Sequence, residues 1–188
     1  MPTFYEGKPI ETMEQTITAK DYASAYYWVQ SSFSLMHKRE VRAGICLTLA
    51  VVIGSMIPGY LIKFTTFWGP VCAILVLLGL AFLFFFVQPN DIKNWAAELY
   101  RSNALLALPQ KLDIYRDSVV LQNKWEQFTL YWTDFSGCVE TKEAFVIHGG
   151  RERNLLIVKK DGLSKEQVSK LSAHFSDAFA SHYQKIGR

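Results

Sequence analysis

The hydrophobic pattern changes period repeatedly along this chain. Residues 1–17 are largely polar, with Pro2, Gly7 and Pro9 as breaks. From 12 to 18 the order TMEQTIT alternates, with Met13, Gln15 and Ile17 on one side and Thr12, Glu14 and Thr16 on the other. That is the period of a short, half-buried strand. A lone strand is unstable in water, so this one must pair with strands elsewhere in the chain. The period then becomes helical. Thr18 and Asp21 make a helix start, the hydroxyl capping free amides and the carboxylate facing the positive helix end. Tyr22, Ala25, Tyr26, Val29, Phe33 and Met36 recur at three- and four-residue spacing. Such an apolar face packs against a soluble domain or, as the alternative, lies among lipid headgroups.

Two apolar runs follow, 43–62 and 67–87, joined by Lys63, Phe64, Thr65 and Thr66. As helices rising about 1.5 Å per residue, each is long enough for a hydrocarbon core of about 30 Å. The pattern predicts a transmembrane hairpin. Pro58-Gly59 is expected to kink or end the first helix. Ala43, Cys46, Ala50 and Gly54 are expected to meet Gly69, Cys72, Val76 and Gly79, small residues that let helices approach, or to pair with a second copy. Phe82, Phe84, Phe85 and Phe86 read as lipid-facing. Neither span carries an ionisable residue, which argues against a channel or transporter. Lys38, Arg39 and Arg42 precede the first run and Lys93 and Arg101 follow the second, while the turn has Lys63 alone. The bias predicts both termini on the cytoplasmic side of the inner membrane. The first apolar run begins too far into the chain for a secretory signal.

Gln88-Pro89-Asn90-Asp91 opens an amphipathic linker helix within 88–109, with Ile92, Trp95, Ala96 and Leu99 on one face and Trp95 suited to the interface. From Gln110 the period is two. Strands are expected at 111–115, 119–122, 125–132, 135–141, 144–148 and 153–158, with Gly149-Gly150 as a tight hairpin turn. Short strands joined by short turns argue for an antiparallel meander. The final stretch is a helix. Ser164 and Gln167 form a capping box and Leu163 and Val168 a staple, and Val168, Leu171, Phe175, Ala178 and Phe179 share its apolar face. The organisation is therefore a strand and juxtamembrane helix over 1–42, the hairpin over 43–87, the linker over 88–109 and a β-domain over 110–188. The fold class is an α+β membrane protein, with the hairpin inserted between two parts of one soluble unit.

Composition adds exclusions. The net charge of +3 over 188 residues leaves no segment basic enough to argue for nucleic acid. Cys46, Cys72 and Cys138 have no metal or redox spacing, and the odd count fits reduced thiols. His37, His148, His174 and His182 fall in no zinc pattern, and no phosphate-binding or nucleophile motif occurs. No metal, cofactor or catalytic residue is expected. An enzyme would need a polar cleft, for which Asp134, Glu140 and His148 are the residues to watch. Arg151, Arg153, Lys159 and Lys160 flank one strand. They solvate its ends or, as the sharper reading, contact lipid headgroups or a partner.

Four segments carry a family resemblance: Thr16-Ile17-Thr18-Ala19-Lys20-Asp21-Tyr22, Leu112-Asp113-Ile114-Tyr115-Arg116-Asp117, Trp132-Thr133-Asp134-Phe135, and Leu155-Leu156-Ile157-Val158-Lys159-Lys160. In this order around two spans, the chain resembles the bacterial YcxB-like family. Val158 stands where many members carry a proline. The resemblance implies a cytoplasmic domain similar to bacterial pleckstrin-homology-like (PH-like) domains, a bent antiparallel sheet or barrel closed by a C-terminal helix. It implies no catalytic residues. The expected function is an inner-membrane protein presenting an interaction or regulatory domain, with the bilayer and a protein partner or second copy as its contacts. The alternative is an immunity-type membrane protein that neutralises a toxin.

Overall fold

The computed structural model describes residues 7–32, 38–63, 68–151 and 153–186. Phe33, Met36 and the connector residues 64–66 lie outside them. The chain divides into two units, Met1–Val29 with Ala96–Arg188, and Gln30–Trp95.

The first unit is α+β. Its strands are β1 (Glu11–Gln15), β2 (Gln110–Ile114), β3 (Ser118–Gln122), β4 (Gln127–Tyr131), β5 (Gly137–Glu140), β6 (Ala144–His148), β7 (Leu155–Lys159) and β8 (Tyr183–Lys185). They form two four-stranded sheets, ordered β1-β2-β3-β4 and β7-β6-β5-β8. The expected partner of the first strand is β2, in antiparallel register from Glu11 opposite Ile114 to Gln15 opposite Gln110. Two expectations change. The sheets do not close into a barrel, because no strand-to-strand ladder links them among the described residues. The second sheet is mixed, since β8 runs parallel to β5. A helix intervenes between β7 and β8 and brings the chain back in β5's direction, as parallel pairing requires.

That helix is α5 (Lys165–Phe179), which begins with the expected capping box. Leu171, Phe175 and Phe179 are buried with inward residues of both sheets: Leu112, Ile114, Val119, Leu121 and Leu130 from the first, and Cys138, Phe145, Ile147, Leu156 and Val158 from the second. Each large apolar side chain buried there contributes about 1.5–3 kcal/mol. Ala178, expected on the same face, is exposed. Trp132 fills the gap between sheet and helix, its ring 5.4 Å from Phe175 and 6.1 Å from Phe179, with Nε1–H donated to the Tyr115 carbonyl at 3.2 Å.

The second sheet is buried on both faces, which explains its unbroken apolar runs. Val139, Ala144, Val146, Leu155 and Ile157 point away from α5 and pack with Ile17, Tyr22, Ala25 and Val29 and with Ala96. The first of these covering segments starts α1 (Ala19–Ser32) and the second belongs to α4 (Gln88–Ser102). Tyr100 locks them together by donating its hydroxyl to the Ile17 carbonyl at 2.5 Å. The apolar face of α1 is thus used against the sheet, as in the first of its two readings. On α4 Ala96 is fully buried, while Trp95 and Leu99 are exposed. Of the expected face, Ala96 is buried and Ile92 half-buried, and Ala97 and Tyr100 pack with Ala96 in place of Trp95 and Leu99, since Ala96 and Tyr100 lie one helical turn apart.

The second unit holds α2 (Arg39–Lys63) and α3 (Trp68–Phe82), followed by a π-helical turn at Leu83–Val87 that leads into α4. The first helix runs through Pro58 and Gly59 to Lys63, so the pair does not end it. Arg39–Ile57 and Gly69–Ser102 are helical stretches long and apolar enough to cross a membrane. Ala43 and Cys46 pack with Ala81, Leu77, Phe84 and Phe85. Cys72, Val76 and Gly79 face outward instead of meeting the first helix as expected. Leu77, Ala81 and Phe84 recur at helical spacing on the face turned inward, which leaves the small-residue stripe outside.

Candidate functional site

In the first unit a cleft of about 480 Å³ lies beside α1, over the second sheet. Its apolar lining comes from Ala25 and Trp28 on α1 and Ala144, Val146 and Ile157 on β6 and β7. Its rim is charged, with Lys20 and Asp21 at the start of α1, Lys142 and Glu143 in the β5–β6 turn, and Lys159, Lys160 and Asp161 at the end of β7.

Local sequence sets this geometry. Thr18 caps α1 by accepting from the Asp21 amide at 3.2 Å, and Asp21 Oδ2 accepts in return from the Thr18 amide at 3.0 Å. This reciprocal cap holds the carboxylate where Lys159 Nζ donates to it at 3.1 Å. Partial burial alone would raise the Asp21 pKa, but the Thr18 amide and Lys159 outweigh it and leave it lowered.

Behind the rim sits Glu140, the last residue of β5, which is 3% exposed. Its Oε1 accepts from Lys160 Nζ at 2.7 Å and lies 2.9 Å from Lys185 Nζ. Its Oε2 accepts from Ser172 Oγ at 2.9 Å and from the Tyr183 hydroxyl. Burial would push this carboxyl up, yet the donors, Lys160 first, hold it at about 2. The Tyr183 hydroxyl is pushed up, by burial and by its bond to Glu140. Lys160 also donates to the Thr141 carbonyl at 2.6 Å and lies 4.5 Å from the centre of the Phe145 ring. A carboxylate so fully bonded and so acidic is a poor proton acceptor near neutrality. Its evident work is to tie β5, β7, α5 and β8 together.

The four basic residues singled out in the sequence are not brought together as one cationic surface. Arg151 is exposed. Arg153 lines a separate cavity of about 220 Å³ with Leu105, Leu106, Glu126 and Phe128, and burial lowers its pKa against the attraction of Glu126. Lys159 pairs with Asp21 and Lys160 with Glu140. Two of the four charges are thus matched by internal carboxylates.

No family model matches the chain, and no curated protein or solved structure matches it either. Its own geometry carries the functional reading. Asp134, Glu140 and His148 do not share the large cleft: none of them is in its lining. His148 is buried close to Gly137 and His182, and Asp134 ends a 3-10 turn after β4. Among the described residues no group of three or more His, Cys, Asp or Glu side chains is placed to hold a metal ion. What the cleft offers is an apolar floor with charges of both signs around it, an arrangement suited to binding.

Sequence reasoning did not find the roles of Ser172, Tyr183 and Lys185. One signal was available: Glu140 is a lone carboxylate closing a strand whose other residues are Gly, Cys and Val, and a charge buried in such a strand needs partners.

Proposed function

We propose that this chain is a two-span integral inner-membrane protein with both termini cytoplasmic, presenting a PH-like interaction or regulatory domain and performing no catalysis. In this reading it is a YcxB-like protein. The observation that carries the proposal is the exposure of its apolar helices. Only 17% of the most apolar window of Arg39–Ile57 and 6% of that of Gly69–Ser102 is buried within the structure. A core helix of a water-soluble domain would be largely covered, and exposed apolar area on this scale calls for lipid or a partner surface.

The domain reading draws support from two packed sheets with a helix filling the space between them, and from a mixed-charge cleft in place of a reactive cluster. The two halves of the domain flank the hairpin in sequence, so the domain is tethered to it at two points.

Alkaline carbonate extraction of native membranes and reporter fusions test the proposal. The chain should stay in the membrane pellet, a reporter after Arg188 should be active only in its cytoplasmic form, and one within 63–66 only in its external form. Extraction into the supernatant, or an external C-terminus, would overturn it. Crosslinking through residues of the 480 Å³ cleft, followed by identification of the captured species, then finds the partner.

A further inference from the structure

We infer that Arg39 and Arg42, laid over Phe85 and Phe84, form a binding site for the phosphate of an anionic phospholipid. The inference rests on the membrane-spanning reading and names a ligand for the helix pair itself.

Arg39 and Arg42 are three residues apart at the start of α2, so they share a helix face. The Arg39 guanidinium carbon lies 4.9 Å from the centre of the Phe85 ring, and that of Arg42 lies 5.3 Å from the centre of Phe84. The two rings are consecutive in sequence. Both belong to the π-helical turn at Leu83–Val87, where the Gln88 amide bonds back to the Leu83 carbonyl. That wider turn holds one extra residue. Phe84 and Phe85 are both half-buried there, whereas Phe82, Leu83, Phe86 and Val87 remain exposed. π turns recur at functional positions in helices, and here the turn gives each arginine its own aromatic support.

A guanidinium resting on an aromatic face gains a cation–π contact and is held in one orientation. Its N–H edge then meets an acceptor in the bidentate geometry that phosphate prefers. The local balance of charge favours an anion. Lys38, Arg39 and Arg42 stand against Glu40 on α2, and Lys93 against Asp91 on α4. Glu40 accepts from Arg39 Nε at 2.9 Å, but that pair is exposed, with side chains 41% and 62% accessible. Such a pair is weak.

The occupant is a lipid and not free phosphate because of what surrounds the cations. Phe82 and Phe86, with ring centres 5.1 Å apart, are 58% and 56% exposed. Acyl chains would cover this surface beside the headgroup, and a free phosphate would leave it bare. The site also stands where both apolar runs end, before Ala43 and at Val87, the level at which headgroup phosphates lie.

The test is native mass spectrometry of the full chain released from vesicles of equal parts phosphatidylglycerol and phosphatidylcholine. Wild type should retain phosphatidylglycerol preferentially. Arg39→Ala and Arg42→Ala should each lower retention about fivefold, the worth of one cation against an anionic leaflet. The double variant Phe84→Leu/Phe85→Leu keeps every charge and should also lower retention. Arg39→Lys/Arg42→Lys should fall between wild type and the alanine variants. Retention unchanged in the arginine-to-alanine variants, or in the leucine variant, would overturn the site. Displacement of the lipid by excess inorganic phosphate would assign the arginines to free phosphate and overturn the lipid. Carbonate resistance of each variant shows that it is still inserted. If wild type itself is extracted, the membrane reading and this site fall together, whereas insertion without lipid preference overturns this site alone.

Discussion

Gln15 closes the open edge of β7 through Ile157: its side-chain Nε2 donates to the Ile157 carbonyl at 2.6 Å. Its Oε1 accepts from the Lys159 amide at 2.9 Å. One side chain on β1 therefore supplies the donor and acceptor that a neighbouring strand would supply, and it links the two sheets without a shared ladder. An edge strand left unpaired exposes such groups to foreign strands.

Gln15→Ala should destabilise the first unit by about 1–3 kcal/mol, the cost of leaving partly buried backbone groups without partners. Denaturant unfolding of the full chain in detergent measures it. Hydrogen exchange localises it: the Lys159 amide should exchange faster, while Val146, central in β6, keeps its protection. Unchanged exchange at Lys159 would remove the edge-closing role.

The Glu140 cluster predicts an unequal pair of lysine effects. Lys160 is 12% exposed and Lys185 57%, although both meet Oε1 of the same carboxylate. Lys160→Ala should cost about 3–5 kcal/mol, as breaking a buried pair does, and Lys185→Ala no more than about 1 kcal/mol. Equal losses in thermal or denaturant unfolding would contradict this account of which contact is buried.

Stability should fall on acidification in two ranges. Burial lowers the pKa of His148, with His182 adding to the shift, and burial likewise lowers that of His174. A histidine with a depressed folded value binds fewer protons folded than unfolded, so stability falls as pH drops through its ordinary value of 6.5. Glu140 runs from an ordinary 4.5 to about 2 when folded. Its contribution is complete above 4.5 and is lost as pH falls from there towards 2. Urea unfolding from pH 8 to pH 3 measures both ranges. His148→Gln should flatten the upper one and Glu140→Gln the lower.

Two glycines with positive φ should differ in their tolerance of alanine. Gly149 has φ of 78° and Gly162 has φ of 83°. A Cβ on Gly149 would fall 2.2 Å from Ser136 Oγ, whereas one on Gly162 meets nothing within 4 Å. Gly162→Ala should cost about 1–2 kcal/mol for the left-handed backbone alone. Gly149→Ala should cost more, and Ser136→Gly in the same chain should return part of the difference. Denaturation midpoints of the three variants decide it.

Much of the fold could be read from local pattern because its causes are local. The caps at Thr18 with Asp21 and Ser164 with Gln167 each act within four residues. The alternation at 12–18 fixed which side of β1 faces inward, and seven of the eight strands lie in segments expected to be strands. β8 carries no such signal: Tyr183–Lys185 is three residues long, and its place beside β5 comes from the turn after α5. The hairpin between β6 and β7 shows how far a local signal reaches. Gly149-Gly150 marks it correctly, but the loop is wider than a two-residue turn, with the Gly149 amide bonded to the Asn154 carbonyl at 2.9 Å.

The candidate site was less legible. The basic residues beside β7 were visible as charges, but charge alone does not reveal a partner. Asp21 lies 138 residues from Lys159, and Glu140 lies 20 from Lys160. Only the packing of α1 on the second sheet and the β5–β6–β7 meander bring those pairs within bonding distance. Helix and strand periods, capping and the lengths of the two uncharged apolar runs follow from interactions between near neighbours, and the chain carries them in its order of residues. The partners of Glu140, the edge closed by Gln15 and the rings beneath Arg39 and Arg42 depend on which surfaces meet. Those meetings arise from long-range burial, where many sequence-compatible pairings compete and packing selects one.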